Sequence, residues 1–414
     1  MREEVQSNLN MARLWFFSSP NRIIFGVGAA KQVGAEAKSL GGKKVLIVTD
    51  WGVAKAGLVE TIEESLRSEK IRADVFDRVE IEPPARVVDE CAQLVREEGY
   101  NLIVGLGGGS SLDTAKGAAI MATNRGKVLD YAGIDLIPKR GLPKILLPTT
   151  AGSGSEVTRI FAVTNEMDKT KRPVYSNFVL ADVAILDPLL TVSMPPFVTA
   201  TTGIDALAHA IESCVCVNAT PLSDILAIEA IRLIGESLPV AYAKRDNIRA
   251  RFNMIIAAAL AGLAWQSSGL GAVHGLSYIL ETGYRIAHAT ATAIMLPHVM
   301  DYNKIGNLKK YAKIAQAMGE NIEGLPDYEA AEKSISSVER LLESVKISIR
   351  LADHGVSKED LPKLVEGGMN QARLFVPNPR DLTEEDVRNI YLKALEWKLV
   401  APTVDKVKNA PQVA

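Results

Sequence analysis

Between residue 22 and about residue 187, short β-branched runs alternate with longer amphipathic stretches, and that rhythm predicts parallel βαβ units. The clearest strands are expected at residues 44–50 (KVLIVTD), 101–107 (NLIVGLG), 144–150 (KILLPTT) and 183–187 (VAILD). Helices are expected between them, near residues 86–98 and from 111 to 122. After Met194, Pro195 and Pro196 the strand signals nearly stop, and helical periodicity continues to about Lys398. It predicts helices over residues 199–214, 221–243, 248–265, 289–300, 308–318, 330–351 and 384–397. The pattern describes an α/β N-terminal domain with a parallel sheet at residues 14–193. An all-α domain follows at 194–414, and a loose polar leader at 1–13 lacks the apolar centre of a secretory signal.

Composition narrows the partners. A chain of 414 residues with 47% hydrophobic residues can bury one or two substantial cores, which agrees with two domains. A formal net charge of −2 without a long basic run argues against nucleic acid or an anionic membrane as the principal partner. The Ala-rich apolar run at residues 255–264 is shorter than the roughly 20 residues a membrane span needs, so it reads as a buried helix. Cys91, Cys214 and Cys216 are too few for a disulfide framework, which fits a reducing, cytoplasmic setting. Cys214 and Cys216 lie two apart on an expected helix and point to different faces, so the lone C-x-C is set aside as a metal site.

The residues with the most chemistry lie in the helical half. Asp205 and His209 are one helical turn apart, at about 3.6 residues per turn, and leave the same face. Alone, such a pair is more often a solvated face or an ion pair. His274 and His288 change that reading. With Asp205, three of the chain's 5 histidines sit among apolar, small residues, where unpaired polar groups are costly to bury. A shared cation removes the cost, and a carboxylate with three imidazoles suits Fe²⁺ or Zn²⁺. His298, next to Pro297 near a helix start, reads as structural or as a support behind the metal ligands; His354, before Gly355, reads as a helix C-terminal cap.

The N-terminal half offers two loops at strand ends. GLGGGS (residues 105–110) follows a strand and leads into a helix, where glycines admit a ligand and free N–H groups favour a pyrophosphate. It departs from GxGxxG, and a tight connection would account for it equally. TTAGSGSE (residues 149–156) offers Thr149, Thr150 and Ser153 as hydrogen-bonding groups, or is an ordinary hydroxyl-rich loop. Two such loops after neighbouring strands favour a ligand, because open α/β sheets bind at the carboxyl ends of strands. Asp50 ends the first clear strand. It either forms a turn or accepts from an adenosine ribose and repels a 2′-phosphate, favouring NAD over NADP. With cofactor loops in one half and metal motifs in the other, the active site is expected in the cleft between them.

GIDALAHAIE, GAVHGLSY and HATATAIMLPHV, with GGGSSLDTAK and PTTAGSGSEVT, resemble the signatures of the iron-dependent, or group III, alcohol dehydrogenases across roughly residues 20–305. The resemblance implies a Rossmann-like dinucleotide-binding domain on a dehydroquinate synthase-like scaffold, working as a homodimer or larger homo-oligomer. It implies that Asp205, His209, His274 and His288 hold Fe²⁺, or Zn²⁺, that polarises an alcohol or aldehyde substrate. It further implies that Gly108, Gly109, Ser110 and Asp113 hold the pyrophosphate and nicotinamide ribose, that Asp50 discriminates for NAD, and that Lys171 reaches the ribose. The DKTKR run around Lys171 could equally be a solvated turn.

Departures from the family pattern fall in a cofactor-facing loop, at Glu82, and near the expected substrate. Glu82 replaces a usual Asn before Pro83 and Pro84, Tyr278 replaces a His that family members often carry as a candidate proton relay, and Ala289 and Thr292 replace Gly and Asn. Tyr278 could relay a proton or simply line the substrate pocket. The expected activity is interconversion of primary alcohols or diols and aldehydes by hydride transfer to NAD. The alternatives are a hydroxyacid-oxoacid transhydrogenase, a dehydroquinate synthase-like lyase, and a non-catalytic metal and nucleotide binder. A synthase would need a more basic pocket, and the metal-motif loops carry few basic residues beyond Arg285.

Overall fold

The structure, a computed structural model, describes residues 14–397, so the leader read at 1–13 and the chain beyond Trp397 lie outside it. The expected strands form because their apolar runs are long enough to be covered on both faces. Val45 to Val48, Leu102 to Val104 and Ile145 to Leu147 are all completely buried. The strands are β1 (Arg22–Phe25), β2 (Lys44–Val48), β3 (Arg72–Phe76), β4 (Leu102–Gly107), β5 (Gly133–Ile134), β6 (Lys144–Pro148), β7 (Ile160–Asn165), β8 (Thr170–Tyr175) and β9 (Val183–Leu186). Six make one sheet in the order β1-β9-β6-β4-β2-β3, parallel throughout; β5, β8 and β7 make a smaller sheet in which β7 and β8 are antiparallel.

The chain runs from β2 outward to β3, then crosses back to β4 on the other side of β2. The connections after β2 and β4 therefore part in opposite directions, and a crevice opens at their carboxyl ends. Asp50 stands on one lip and Gly107 on the other.

Five helices accompany the large sheet: α1 (Val33–Ser39), α2 (Trp51–Lys55), α3 (Leu58–Ser68), α4 (Ala85–Glu98) and α5 (Gly109–Met121). The helical half contains α6 (Pro196–Val215), α7 (Pro221–Ala243), α8 (Ile248–Ser268), α9 (Ala272–Tyr284), α10 (His288–Asn303), α11 (Leu308–Ala317), α12 (Asp327–Ser344), α13 (Leu361–Met369) and α14 (Glu384–Glu396). Its core joins α6 to the helices that follow through residues such as Ile204, Leu207, Ile231, Met254, Leu276 and Ile294. At 21 residues α8 is long and apolar enough to cross a membrane by length and composition alone. Here it is a core helix: Met254, Ala257, Ala261 and Ala264 are buried, and buried Arg251 donates to Thr199 Oγ1 at 2.8 Å.

Three expectations are corrected. The helix expected at 330–351 is α12, which ends at Ser344; Lys346 adopts φ 59°, and the chain restarts as a separate 3₁₀ turn at Leu351–His354. His298 lies well inside α10 rather than near its start, because Pro297 is accommodated within that helix. Its Nε2 lies 3.1 Å from the Ile349 carbonyl, and burial lowers the imidazole to about 4, consistent with a structural role. The helix after the glycine turn begins at Gly109, two residues before its expected start.

The two halves touch through backbone. Gly154, at φ +63°, packs so closely on Gly262 of α8 that an added Cβ would stand 2.8 Å from the Gly262 Cα. A Cβ on Gly152 would likewise stand 2.8 Å from the Thr202 Cβ, two turns before His209 on α6. The hydroxyl-rich loop after β6 is thereby laid directly on α8 and on α6, the helix that carries Asp205 and His209.

Candidate active site

α6 brings Asp205 and His209 to one buried face, as their spacing requires. α9 presents His274 and the first residue of α10 is His288, and the four side chains converge. His288 Nε2 is 3.7 Å and His274 Nε2 3.9 Å from Asp205 Oδ1, while His209 Nδ1 is 4.0 Å from Oδ2. These separations are too long for hydrogen bonds. They suit atoms sharing one ion at about 2.0–2.2 Å each.

The fit to a metal rests on two orphaned atoms. His209 Nδ1 and His274 Nε2 are buried and have no hydrogen-bond partner among the described residues, an arrangement that costs stability unless something accepts their lone pairs. Asp205, His209 and His274 form a possible cation cluster among the described residues. Burial lowers the His209 imidazole to about 3, with Asp205 opposing the shift, so the ring is neutral and able to ligate. Burial would raise the Asp205 carboxyl, but His209, His288 and His274 outweigh it and hold it below its usual range.

Two carboxylates orient the ligands, and neither was anticipated. Glu212 Oε2 lies 2.5 Å from His274 Nδ1, and its Oε1 accepts from the Val273 N–H at 2.7 Å. Glu281 Oε1 lies 2.5 Å from His288 Nδ1. Each carboxylate engages the nitrogen turned away from Asp205 and so directs the other lone pair inward. Thr292 Oγ1 donates to Asp205 Oδ1 at 3.1 Å. The available signal was helical phase: Glu212 is seven residues after Asp205, and Glu281 is seven after His274.

Glu281 also pairs closely with Lys171 of β8, whose ammonium lies 3.5 Å from Glu82 and over the Tyr278 ring at 5.6 Å. Burial would raise the Glu281 carboxyl; His288 and Lys171 overcome this and hold it down to about 2. Glu281→Gln should therefore release both partners and weaken metal affinity by about tenfold or more. Competition with a chelator measures this, and an unaltered affinity would leave Glu281 a purely structural residue.

The side chain of His288 is 29% exposed while those of Asp205, His209 and His274 are at most 6% exposed, so the centre opens on the His288 side. There the Tyr278 ring stacks on His288, with centroids 6.3 Å apart, and Tyr278 and Lys171 line a cavity of about 310 Å³ that extends to Thr282 and Asn370. Burial raises the Tyr278 hydroxyl to about 12, with Lys171 opposing, so it stays protonated near neutrality.

The glycine turn lies at the sheet crevice. Gly107 has φ +151°, and a Cβ there would stand 2.5 Å from Ser111 Oγ. Ser111 Oγ donates to Asp50 Oδ2 at 3.0 Å, while Asp50 Oδ1 accepts from the Val53 N–H at 3.1 Å and caps α2. Gly108 caps α5 without a side chain, leaving the first N–H groups of that helix open toward an anion. Gly108 and Gly109 face Thr150 and Ser153, against which added Cβ atoms would stand at 3.5 and 3.1 Å. The Thr149 N–H donates to the Gly107 carbonyl at 3.0 Å, joining the two loops. Ser110 Oγ accepts from the Glu82 N–H at 3.1 Å, which brings the departing Glu82 to the same turn.

Two expected cofactor residues are already engaged by protein. Asp113 accepts from Ser155 Oγ at 2.6 Å and from the Ala162 N–H at 2.9 Å, fastening α5 to the neighbouring loop and β7. Lys171 stands between Glu82 beside the glycine turn and Glu281 behind the metal ligand.

The chain is similar to known proteins along most of its length. Residues 20–188 match the family profile for iron-containing alcohol dehydrogenase, and residues 199–395 match that of the Fe-containing alcohol dehydrogenase family, C-terminal. The chain is 42% identical over 390 residues to long-chain-alcohol dehydrogenase 1 of Geobacillus thermodenitrificans, covering 92% of this chain and 98% of that one. It is 40% identical over 384 residues to 1,3-propanediol dehydrogenase of Klebsiella pneumoniae, covering 92% and 99%. Among solved structures, 1,3-propanediol oxidoreductase matches with a TM-score of 0.90 and 40% identity over 92% of this chain and 100% of that one. Sulfoacetaldehyde reductase from Bifidobacterium kashiwanohense in complex with NAD⁺ matches with a TM-score of 0.85 and 29% identity over 93% and 100%.

Proposed function

The chain belongs to the iron-containing alcohol dehydrogenase family, and on that premise we propose that it is an NAD-linked enzyme interconverting primary alcohols or diols and their aldehydes. The family makes it an alcohol or aldehyde oxidoreductase. The observation that carries the finer reading is the pair of orphaned nitrogens on His209 and His274, turned toward Asp205, with Lys171 linking Glu281 behind His288 to Glu82 at the glycine turn.

Asp205, His209, His274 and His288 would hold Fe²⁺, with Zn²⁺ fitting the same donors, and a bound ion would supply Lewis-acid polarisation of the substrate oxygen. Gly108, Gly109 and Ser110 would seat the pyrophosphate at the start of α5, with Thr149, Thr150 and Ser153 facing them and Asp50 receiving the ribose. A nicotinamide bound there would supply the hydride acceptor for oxidation of the alcohol to its aldehyde, the proton passing to solvent. This chain's residues orient the reactants: Glu212 and Glu281 fix the imidazoles, while Tyr278 and Lys171 shape the cavity beside His288. Lys171 is engaged by two carboxylates, which weakens a synthase-like reading that needs a free cation for phosphate.

The test is NADH formation by anaerobically purified, Fe²⁺-loaded protein across primary alcohols and diols. Metal-dependent turnover supports the reading, and its absence despite bound metal and NAD would shift weight to the lyase, transhydrogenase or binding-only alternatives. Tyr278→His places a group that titrates near about 6.5 where wild type has one held near 12. Below the new group's pKa the histidine is protonated and adds positive charge beside His288. The kcat profile should therefore gain an acidic limb near neutrality that wild type lacks. An identical profile would remove position 278 from the proton's route.

A further inference from the structure

Glu82 lies in the loop between β3 and α4 at φ 52°, a conformation that L side chains rarely adopt. Its backbone is fixed from two sides. The N–H donates to Ser110 Oγ of the glycine turn at 3.1 Å, and the carbonyl accepts from Thr164 Oγ1 at 2.9 Å. The Thr164 N–H in turn donates to the Pro83 carbonyl at 2.9 Å. Thr164 of β7 is the residue that faces Lys171 of β8 across the small sheet. Glu82 therefore stands between the glycine turn and Lys171, and its carboxylate lies 3.5 Å from the ammonium.

The same ammonium pairs with Glu281 of α9 in the helical half, whose side chain is fully buried and whose Oε1 lies 2.5 Å from His288 Nδ1. One cation thus serves two carboxylates, one tied to the cofactor turn and the other to a metal ligand. An ammonium is a point charge on a flexible stem, so a pyrophosphate on the turn would draw it away from Glu281 if nothing opposed the move. Glu82 opposes it. Its carboxylate neutralises Lys171 on the side of the turn and is repelled by a phosphate seated there, which presses it toward the ammonium. Held in this way, Lys171 keeps Glu281 aimed at Nδ1, and the Nε2 lone pair of His288 stays turned toward Asp205.

Resting on the oxidoreductase reading above, we propose that Glu82 is a positioning residue that makes binding of the dinucleotide and of the metal ion mutually reinforcing. A dinucleotide would order the turn, Glu82 and Lys171, and an ion would order His288, Glu281 and the same lysine. Whichever binds second then finds part of its ordering already in place. The coupling is reciprocal: the factor by which metal tightens NAD⁺ binding equals the factor by which NAD⁺ tightens metal binding.

The experiment measures that factor with the full chain and Zn²⁺, which suits the same donors and has no redox chemistry. NAD⁺ affinity is taken by calorimetric titration of metal-free and Zn²⁺-loaded protein, and Zn²⁺ affinity by chelator competition with and without NAD⁺. Wild type should show a factor of about five or more, equal in both directions. In E82Q the factor should fall to one or below. Metal-free E82Q should still bind NAD⁺ at least as tightly as wild type, because a negative charge near the pyrophosphate is gone. A lesion of the fold would weaken both affinities and could not produce that combination. E82D, which keeps the charge on a shorter side chain, should recover part of the factor. The same factor in wild type and E82Q would overturn the proposal. So would a wild-type factor of one, or a factor below one, the mark of a lysine drawn to the phosphate. If coupling is present but the Fe²⁺-loaded protein oxidises no alcohol, the oxidoreductase reading fails and the role of Glu82 stands. Turnover without coupling has the opposite meaning, and a wild type that binds no NAD⁺ would overturn both.

Discussion

Asp205→Ala should abolish metal binding and lower alcohol oxidation by about 10³-fold or more, about 4 kcal/mol at 1.36 kcal/mol per decade. Asp205 is the carboxylate toward which the three imidazole nitrogens are turned, at 3.7, 3.9 and 4.0 Å. Without it a divalent cation would be desolvated among neutral rings with no counter-charge in that inner set. The rings should stay in place, because Glu212 and Glu281 hold His274 and His288 from behind. The variant should therefore fold, and its metal-free melting temperature should match or exceed that of wild type, since a buried carboxylate has been removed. What it should lose is the stabilisation on adding Fe²⁺. Metal content, NADH formation and melting with and without metal test these points. Retained metal with activity within tenfold of wild type would sink the ligand assignment.

Asp50→Gly should move the preference between cofactors toward NADP by about 10²-fold. A carboxylate about 5 Å from a 2′-phosphate repels it by about 3 kcal/mol per unit charge at an effective dielectric near 20, and the substitution also removes an acceptor for the ribose of NAD. Arg78, bridged to Asp50 through the backbone, brings a cation to the same segment; its guanidinium is 2.7 Å from Glu90. The variant also loses the cap on the Val53 N–H and the bond from Ser111, so about 1 kcal/mol of stability should go with it. The ratio of kcat/KM for NAD and NADP is the readout. An unmoved ratio would return Asp50 to the simpler role of a helix cap that braces the glycine turn.

The central strands were legible because β2, β4 and β6 are buried on both faces, which demands uninterrupted apolar runs. β1 and β3 were not, because edge strands bury little and their sequences RIIF and RADVF carry weak signals. The small sheet of β5, β8 and β7 was also hidden. Its strand β8 includes Pro173 and charged residues that read as a turn. α9 was missed although it carries His274: Gly275 and Gly283 weaken its helical signal, and packing against Phe375 and Lys363 gives them their places.

The metal ligands could be proposed because Asp205 and His209 share a local spacing and histidine is scarce in this chain. Their orienting partners could not be paired by the same means. Glu212 reaches His274 across 62 positions, and Lys171 reaches Glu281 across 110, so these contacts exist only once the helices and the small sheet have docked.

Gly154 and Gly262 meet with no side chain between them, and either would need its partner to retreat before it could accept one. Each therefore restricts what mutation can do at the other, although they are far apart in the gene and lie in different halves of the protein. Recombination that swapped one half for that of a relative would succeed only where the incoming partner also leaves this contact bare. The inheritance of the cofactor half and of the metal half is linked through two hydrogen atoms where side chains would otherwise be.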